Sequence, residues 1–226
     1  LLPIDCTSAH GCKIVTNEAV SELCNQYPGF IGFASVDPHS KNAVDVLSTA
    51  VNDLGLKGLK LDPPLQQFDP DSKDAAYPLY ERCAELGIPV LIHTGMNWTP
   101  AALTSDGYPL HLEPAVIANP ETNFILAHLG WPWVNEASVL AMKYPNVYLD
   151  TAVVFSGTPG ECLLQVIGRS LGKDLFERNL VHKVVYGSNY PRTDMRRSVR
   201  GIKSLGFSDY LKSQLFEKTA RKLLAI

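Results

Sequence analysis

Short, nearly continuous apolar runs alternate along the chain with longer segments in which apolar residues recur every three to four positions. The runs are residues 1–5 (LLPID), 30–36 (FIGFASV), 56–61 (LKGLKL), 89–94 (PVLIHT), 124–128 (FILAH), 147–151 (VYLDT) and 184–188 (VVYGS). Runs this short, with little polar alternation, are the mark of strands buried on both faces. The segments between them predict helices. Residues 17–27 place Val20, Leu23 and Cys24 on one face. Residues 73–86 carry the clearest stripe, Ala76, Leu79, Tyr80, Cys83 and Leu86, with Asp71 or Ser72 to cap the start and Gly87 to end it. Pro78 sits inside that pattern, although a residue without an N–H is tolerated only in the first turn of a helix. Further helices are expected over 43–53, 114–119, 134–144, 159–171, 194–205 and 208–224.

Strands separated by helix-sized crossovers predict a parallel sheet. No Pro/Gly/Ser-rich linker interrupts the series, so residues 1–226 read as one domain. An open doubly wound sheet would carry a glycine-rich phosphate loop after an early strand, and none is present. A (β/α)8 TIM barrel instead gathers its functional groups at the C-terminal ends of its strands. Those ends carry Asp5, Asp37, Asp62, His93, His128, Asp150 and Asn189, which favours the barrel. A full barrel needs eight strands. Seven runs are visible and the first starts at residue 1, so the expected fold is a (β/α)8 barrel without its first β/α unit.

Composition narrows the function. The 226 residues carry 20 Lys+Arg and 23 Asp+Glu, a net charge of -3. That balance argues against a basic nucleic-acid platform. No apolar run approaches the ~20 residues of a membrane span, and no stretch reads as a signal peptide. The 46% hydrophobic content is enough to fill a core. The five cysteines are odd in number and contain no CxxC pair, so a disulfide framework is not expected and a reducing, cytoplasmic setting is.

Two histidines, His93 and His128, end successive strands and so face one site. A neutral imidazole there suits a metal ligand or a general base; a hydrogen-bonded rim histidine is the plainer alternative. Lys60 and Asp62 share a strand face, and if that face is the barrel interior, Lys60 can anchor an anionic substrate. Trp131 and Trp98 follow the two histidines and could wall a planar substrate or simply pack their loops. Residues 97–119 form a long loop suited to a lid. Arg192 lies nearest the mouth within a cluster that includes Arg196, Arg197 and Arg200, whose helical spacing suits a solvated face. Asn189 ends the last strand, where its amide is a poor proton acceptor and a poor zinc ligand.

Taken together, the segments GFASVDP (32–38), GLKGLKLDP (55–63), PVLIHTG (89–95), AHLGWPW (127–133), PNVYLDT (145–151), VYGSNYP (185–191) and ARKLL (220–224) resemble the metal-dependent amidohydrolase superfamily, in the branch that includes aminocarboxymuconate-semialdehyde decarboxylase. The resemblance implies one divalent metal, zinc or manganese, with His93 as a ligand and His128 touching substrate or metal-bound water. It assigns Asn189 to the catalytic and metal position where the family has a carboxylate. It places Lys60 and Trp131 near the pocket, and with Trp98 and Arg192, named from their positions along the chain, they are the candidate substrate-binding residues. It also implies an HxH metal pair on a strand preceding Leu1–Asp5, and no HxH occurs in the 226 residues. The expected activity is metal-dependent hydrolysis of a small carboxylated or cyclic substrate through activated water. Non-oxidative decarboxylation of a small aromatic or muconate-like acid is the alternative, and a degenerate, non-catalytic barrel is the third reading. The implied partner is a small molecule, with a homodimer suggested by family analogy alone.

Overall fold

The structure, a computed structural model, describes residues 1–153, 155 and 157–226. Its strands are β1 (Ile4–Cys6), β2 (Cys12–Ile14), β3 (Leu59–Leu61), β4 (Val90–Ile92), β5 (Phe124–Leu126), β6 (Val147–Asp150) and β7 (Val184–Val185). The last five form one parallel sheet in sequential order. Helices Tyr77–Glu85, Glu113–Ala118 and Val134–Lys143 cross between neighbouring strands. Residues 159–179 cross from β6 to β7, with a π-type turn at Leu164–Leu171. Sequential parallel order with helical crossovers is the architecture of a (β/α)8 barrel short of its full ring.

The run at 30–36 contributes a single parallel bridge, Ala34 to Leu59. Its backbone is nonetheless tied on both sides: Phe33 N–H donates to Leu1 O, and Ala34 N–H donates to Gly58 O. The first run departs from expectation. Leu1 bonds to the 31–33 segment in parallel fashion, but Ile4–Cys6 pairs antiparallel with Cys12–Ile14. The cause is local. Gly11, at φ +69°, ends a single turn of helix and sends the chain back along itself.

Most helices keep the predicted faces, but in Asn17–Gln26 Val20 and Ser21 are buried while Leu23 is exposed and Cys24 only partly covered. Asn17–Gln26 is capped by the Thr16 side chain and Met195–Ser204 by that of Asp194. The segment expected to be helical over 73–86 is helical only over Tyr77–Glu85, because Pro78 has to fall in the first turn. Leu79, Tyr80 and Cys83 still bury the anticipated stripe.

Strand parity divides the core in two. Leu59, Leu61, Val90, Ile92, Phe124, Leu126, Val147, Leu149 and Val184 pack outward against the helices. The opposite parity supplies Leu91, Ile125, Tyr148 and Val185, which meet Phe33 and Leu223 in a separate interior cluster. Lys60 lies in register with Leu91 and therefore shares the interior parity. Along the free side of β7, Tyr186 N–H donates to Leu215 O, so the C-terminal helical segment flanks the sheet and sends Leu223 into the interior.

Gly58 is needed beneath this cluster, since a Cβ there would fall on the Phe33 ring. Gly58→Ala should cost about 1–3 kcal/mol of stability by overpacking. Urea unfolding is expected to show a lower midpoint at an unchanged m-value.

Candidate active site

The interior parity carries polar groups above the apolar layer: Lys60 and Asp62 from the end of β3, His93 from β4 and Asp150 from β6. All four are buried. His128 follows β5 and turns its ring towards His93, with centroids 4.9 Å apart and planes at 63°. The Asp62 Oδ2 atom lies 3.6 Å from His93 Nδ1. Asp62 Oδ1 accepts from Leu65 N–H at 3.1 Å and from the Asn97 amide at 3.1 Å. Lys60 Nζ donates to Leu61 O at 2.6 Å.

Asp150 organises the other side. A single oxygen, Oδ1, accepts both His128 N–H and Ala152 N–H, each at 2.8 Å. The Ala152 carbonyl in turn lies 2.7 Å from His128 Nδ1. A carbonyl can only accept, so Nδ1 carries a proton and Nε2 is the ring nitrogen left for another partner. His128 and Leu129 both hold left-handed backbone, at φ +62° and +49°. Two consecutive non-glycine residues in that region are costly, and they persist where the surroundings over-determine them.

Burial sets the electrostatics. It pushes the His93 imidazole down to about 3, against the opposing pull of Asp62. His93 is therefore neutral at neutral pH, and its Nε2 is buried without a hydrogen-bond partner. Burial also lowers the Lys60 ammonium, with Asp62 and Asp150 opposing. Burial alone would raise the Asp62 carboxyl. The His93 ring, the Lys60 ammonium and the Leu65 amide outweigh it and hold the carboxyl below its ordinary range.

The structure thus brings together Lys60, His93 and His128, and adds Asp62, Asn97 and Asp150. Trp131 stacks on Phe155, with centroids 4.3 Å apart and planes 6° apart, and its carbonyl accepts from Met96 N–H. Trp98 is half exposed and Arg192 is exposed. Asn189 is partly buried at φ +58°, and its carbonyl accepts from Thr193 N–H. Among the described residues, no hydrogen bond, ion pair or ring contact ties Trp98, Arg192 or the Asn189 side chain to the histidine pair. His10 and His39 are engaged by carbonyls of 65–67, and His111 and His182 lie against Tyr108 and Tyr210. The expected lid is partly folded into 3-10 turns at Thr104–Gly107 and Pro109–Leu112. It is pinned by Gly95 N–H to Gly107 O at 2.6 Å. A cavity of about 800 Å³ lies between this loop and residues 64–71, lined by Phe68, Leu103, Leu110 and His111, away from the histidine pair.

A model of the family described as Amidohydrolase matches residues 7–226. The chain belongs to the amidohydrolase family. Among curated proteins, this amidohydrolase is 35% identical over 83 residues to Protein fluG of Emericella nidulans, a match covering 37% of the chain and 10% of that protein. An uncharacterised TIM-barrel protein of Bordetella bronchiseptica shares the fold at a TM-score of 0.81 and 24% identity, over 94% of this chain and 73% of its own. A 2,6-dihydroxybenzoate decarboxylase from Rhizobium shares it at a TM-score of 0.69 and 16% identity, over 92% and 75% of the two chains.

The family implies a metal, and the donors present meet that requirement only in part. His93 offers a buried, unpartnered Nε2 and His128 an Nε2 left for another partner. Among the described residues, no group of three or more His, Cys, Asp or Glu stands together to hold a metal ion. The set is incomplete for the three or four protein ligands such an ion takes.

Because folding lowers the His93 pKa, the unfolded chain binds the extra proton first. The stability contributed by neutral, buried His93 is full above about 6.5 and is lost as pH falls towards about 3. Asp62 adds a loss in the same direction at more acidic pH. Unfolding free energies from urea titrations between pH 7 and pH 4 should fall by up to about 1.4 kcal/mol per pH unit from His93, and His93→Gln should flatten that slope. Asp150→Ala strands two buried amides and should cost about 2–4 kcal/mol. Heteronuclear NMR of the His128 ring should then show loss of the fixed Nδ1–H tautomer.

Proposed function

We propose that this amidohydrolase barrel is a non-oxidative decarboxylase of a small aromatic or muconate-like carboxylic acid. The observation that carries the reading is the pair of facing imidazoles, His93 and His128, each with its Nε2 left unengaged by the protein, above buried Lys60. The solved structures of similar shape support it. They include the Rhizobium decarboxylase and a 5-carboxyvanillate decarboxylase from Novosphingobium aromaticivorans, the latter with bound manganese and a substituted nitrobenzoic acid.

For a hydroxyaryl acid, His128 Nε2 accepts the hydroxyl proton and returns it to the ring carbon that bears the carboxylate. The bond from that carbon to the carboxylate then breaks and its electron pair stays in the ring. Carbon dioxide leaves and the ring oxygen keeps the negative charge, so atoms and charge balance. Asp150 and the Ala152 carbonyl hold the imidazole in the tautomer this shuttle requires. Lys60 supplies positive charge on the interior side, and the stacked Trp131 and Phe155 offer a flat wall. Arg192 and Trp98 are outer groups that could meet the substrate as it enters. The cofactor in this reading is one divalent cation, zinc or manganese, for which His93 Nε2 is the donor. It would add positive charge where one ammonium faces two carboxyl groups.

Hydrolysis is the second reading, favoured by the family match over 7–226. It asks more of Asn189, because activation of water needs a proton acceptor that an amide does not provide. A panel of planar hydroxy acids, esters and lactones, assayed with and without added manganese or zinc, separates the two. Carbon dioxide release is the expected outcome. Ester or lactone cleavage without it supports hydrolysis, and silence on both supports the non-catalytic barrel. Asn189→Asp should raise turnover by roughly 10²–10⁴ if that position carries a general acid–base group.

A further inference from the structure

The antiparallel hairpin of β1 and β2 sets Cys6 directly opposite Cys12, with the two Sγ atoms 3.9 Å apart. The pairing is held rather than incidental. The adjacent cross-strand pair, Asp5 and Lys13, forms an ion pair at 3.0 Å. Asp5 N–H donates to Ser35 Oγ and Asp5 O accepts from the Gln66 amide. In the intervening turn, Ser8 N–H donates to Asp37 at 2.7 Å. Directly opposed residues of antiparallel strands have Cα atoms about 4.5–5.5 Å apart, within the range of about 4.4–6.8 Å that a disulfide spans. Side-chain rotation alone therefore closes the gap. Cys12 is exposed and Cys6 is buried. Cys24, Cys83 and Cys162 lie on separate helices.

We infer that Cys6 and Cys12 are a redox-active dithiol whose substrate is a two-electron oxidant of the peroxide class. The exposed Cys12 thiol meets the oxidant first. Its sulfur attacks the peroxide, the O–O bond breaks, and water leaves as Cys12 becomes a sulfenic acid. The Cys6 sulfur then attacks the Cys12 sulfur, the S–S bond forms, and the S–O bond breaks. The departing hydroxide takes the Cys6 proton. The sum is two thiols and one peroxide to one disulfide and two waters. Glutathione or a dithiol reductant reverses the bond by thiol–disulfide exchange. Gln66 also accepts from Asp62 N–H, so Asp5, the residue before Cys6, is two hydrogen bonds from Asp62 at the barrel mouth.

The test is limited hydrogen peroxide treatment of the full chain, followed by denaturation under non-reducing conditions. Titratable thiols should fall by about two and the intact mass by about 2 Da, with a linked Cys6–Cys12 peptide in the digest. Cys24→Ser should leave this outcome unchanged and Cys12→Ser should abolish it. A Cys12 sulfinic acid without the link, a disulfide between two chains through Cys12, or unchanged thiols would each overturn the inference. Far-ultraviolet circular dichroism of Cys12→Ser separates lost pairing from lost fold.

Discussion

One carboxylate oxygen, Asp150 Oδ1, determines the shape of the barrel mouth. It accepts two backbone N–H groups from neighbouring strand ends and thereby fixes the turn that carries His128. The left-handed backbone at His128 and Leu129 would not persist in isolation. The Ala152 carbonyl, held by the same carboxylate through its own residue's amide, then selects the ring tautomer. Asp150 thus positions the His128 ring, which lies against that of His93.

The second constraint is the burial of charge-bearing side chains within an apolar barrel. Lys60, Asp62 and His93 occupy the layer directly above Phe33, Leu91, Ile125, Tyr148 and Val185. Isolated charges are costly there, so the structure answers in two ways. His93 gives up its charge. Lys60 and Asp62 each find a backbone partner, and the two groups favour each other's charged form against the cost of burial. Close backbone approach completes the enclosure. Gly95 and Gly107 press together beside His93, and side chains at either position would strike the backbone of the other loop segments. No helix among the described residues is long and apolar enough to cross a membrane.

The first segment shows where a periodic reading loses its power. Apolar content at 1–5 suggested another inner strand, yet one glycine with a left-handed φ diverts the chain into a hairpin. That same diversion brings together two cysteines whose spacing in sequence carries no recognisable motif. Pro78 moved a helix start for a similarly local reason, and the π-type turn at Leu164–Leu171 changed the winding of the expected 159–171 helix without moving its ends.

Amphipathic spacing and short apolar runs were sufficient to specify the parallel barrel, the order of its units and the strand-end placement of His93 and His128, because strand and helix periods depend on local geometry. The same period put Lys60 and Asp62 on one strand face, and the structure showed that face to be the interior. The roles of Asp62, Asn97 and Asp150 were not legible, since a strand-end carboxylate or loop amide looks alike whether it caps a turn, braces a histidine or faces solvent. Trp98 and Arg192 were plausible by position along the chain, and the tertiary structure left them outside the buried cluster. Contacts between residues tens of positions apart decided the His128 tautomer and the neutral state of His93, while the turn at Gly11 decided the Cys6–Cys12 pairing. Hydrogen-bond geometry and burial exist only once the strands stand side by side.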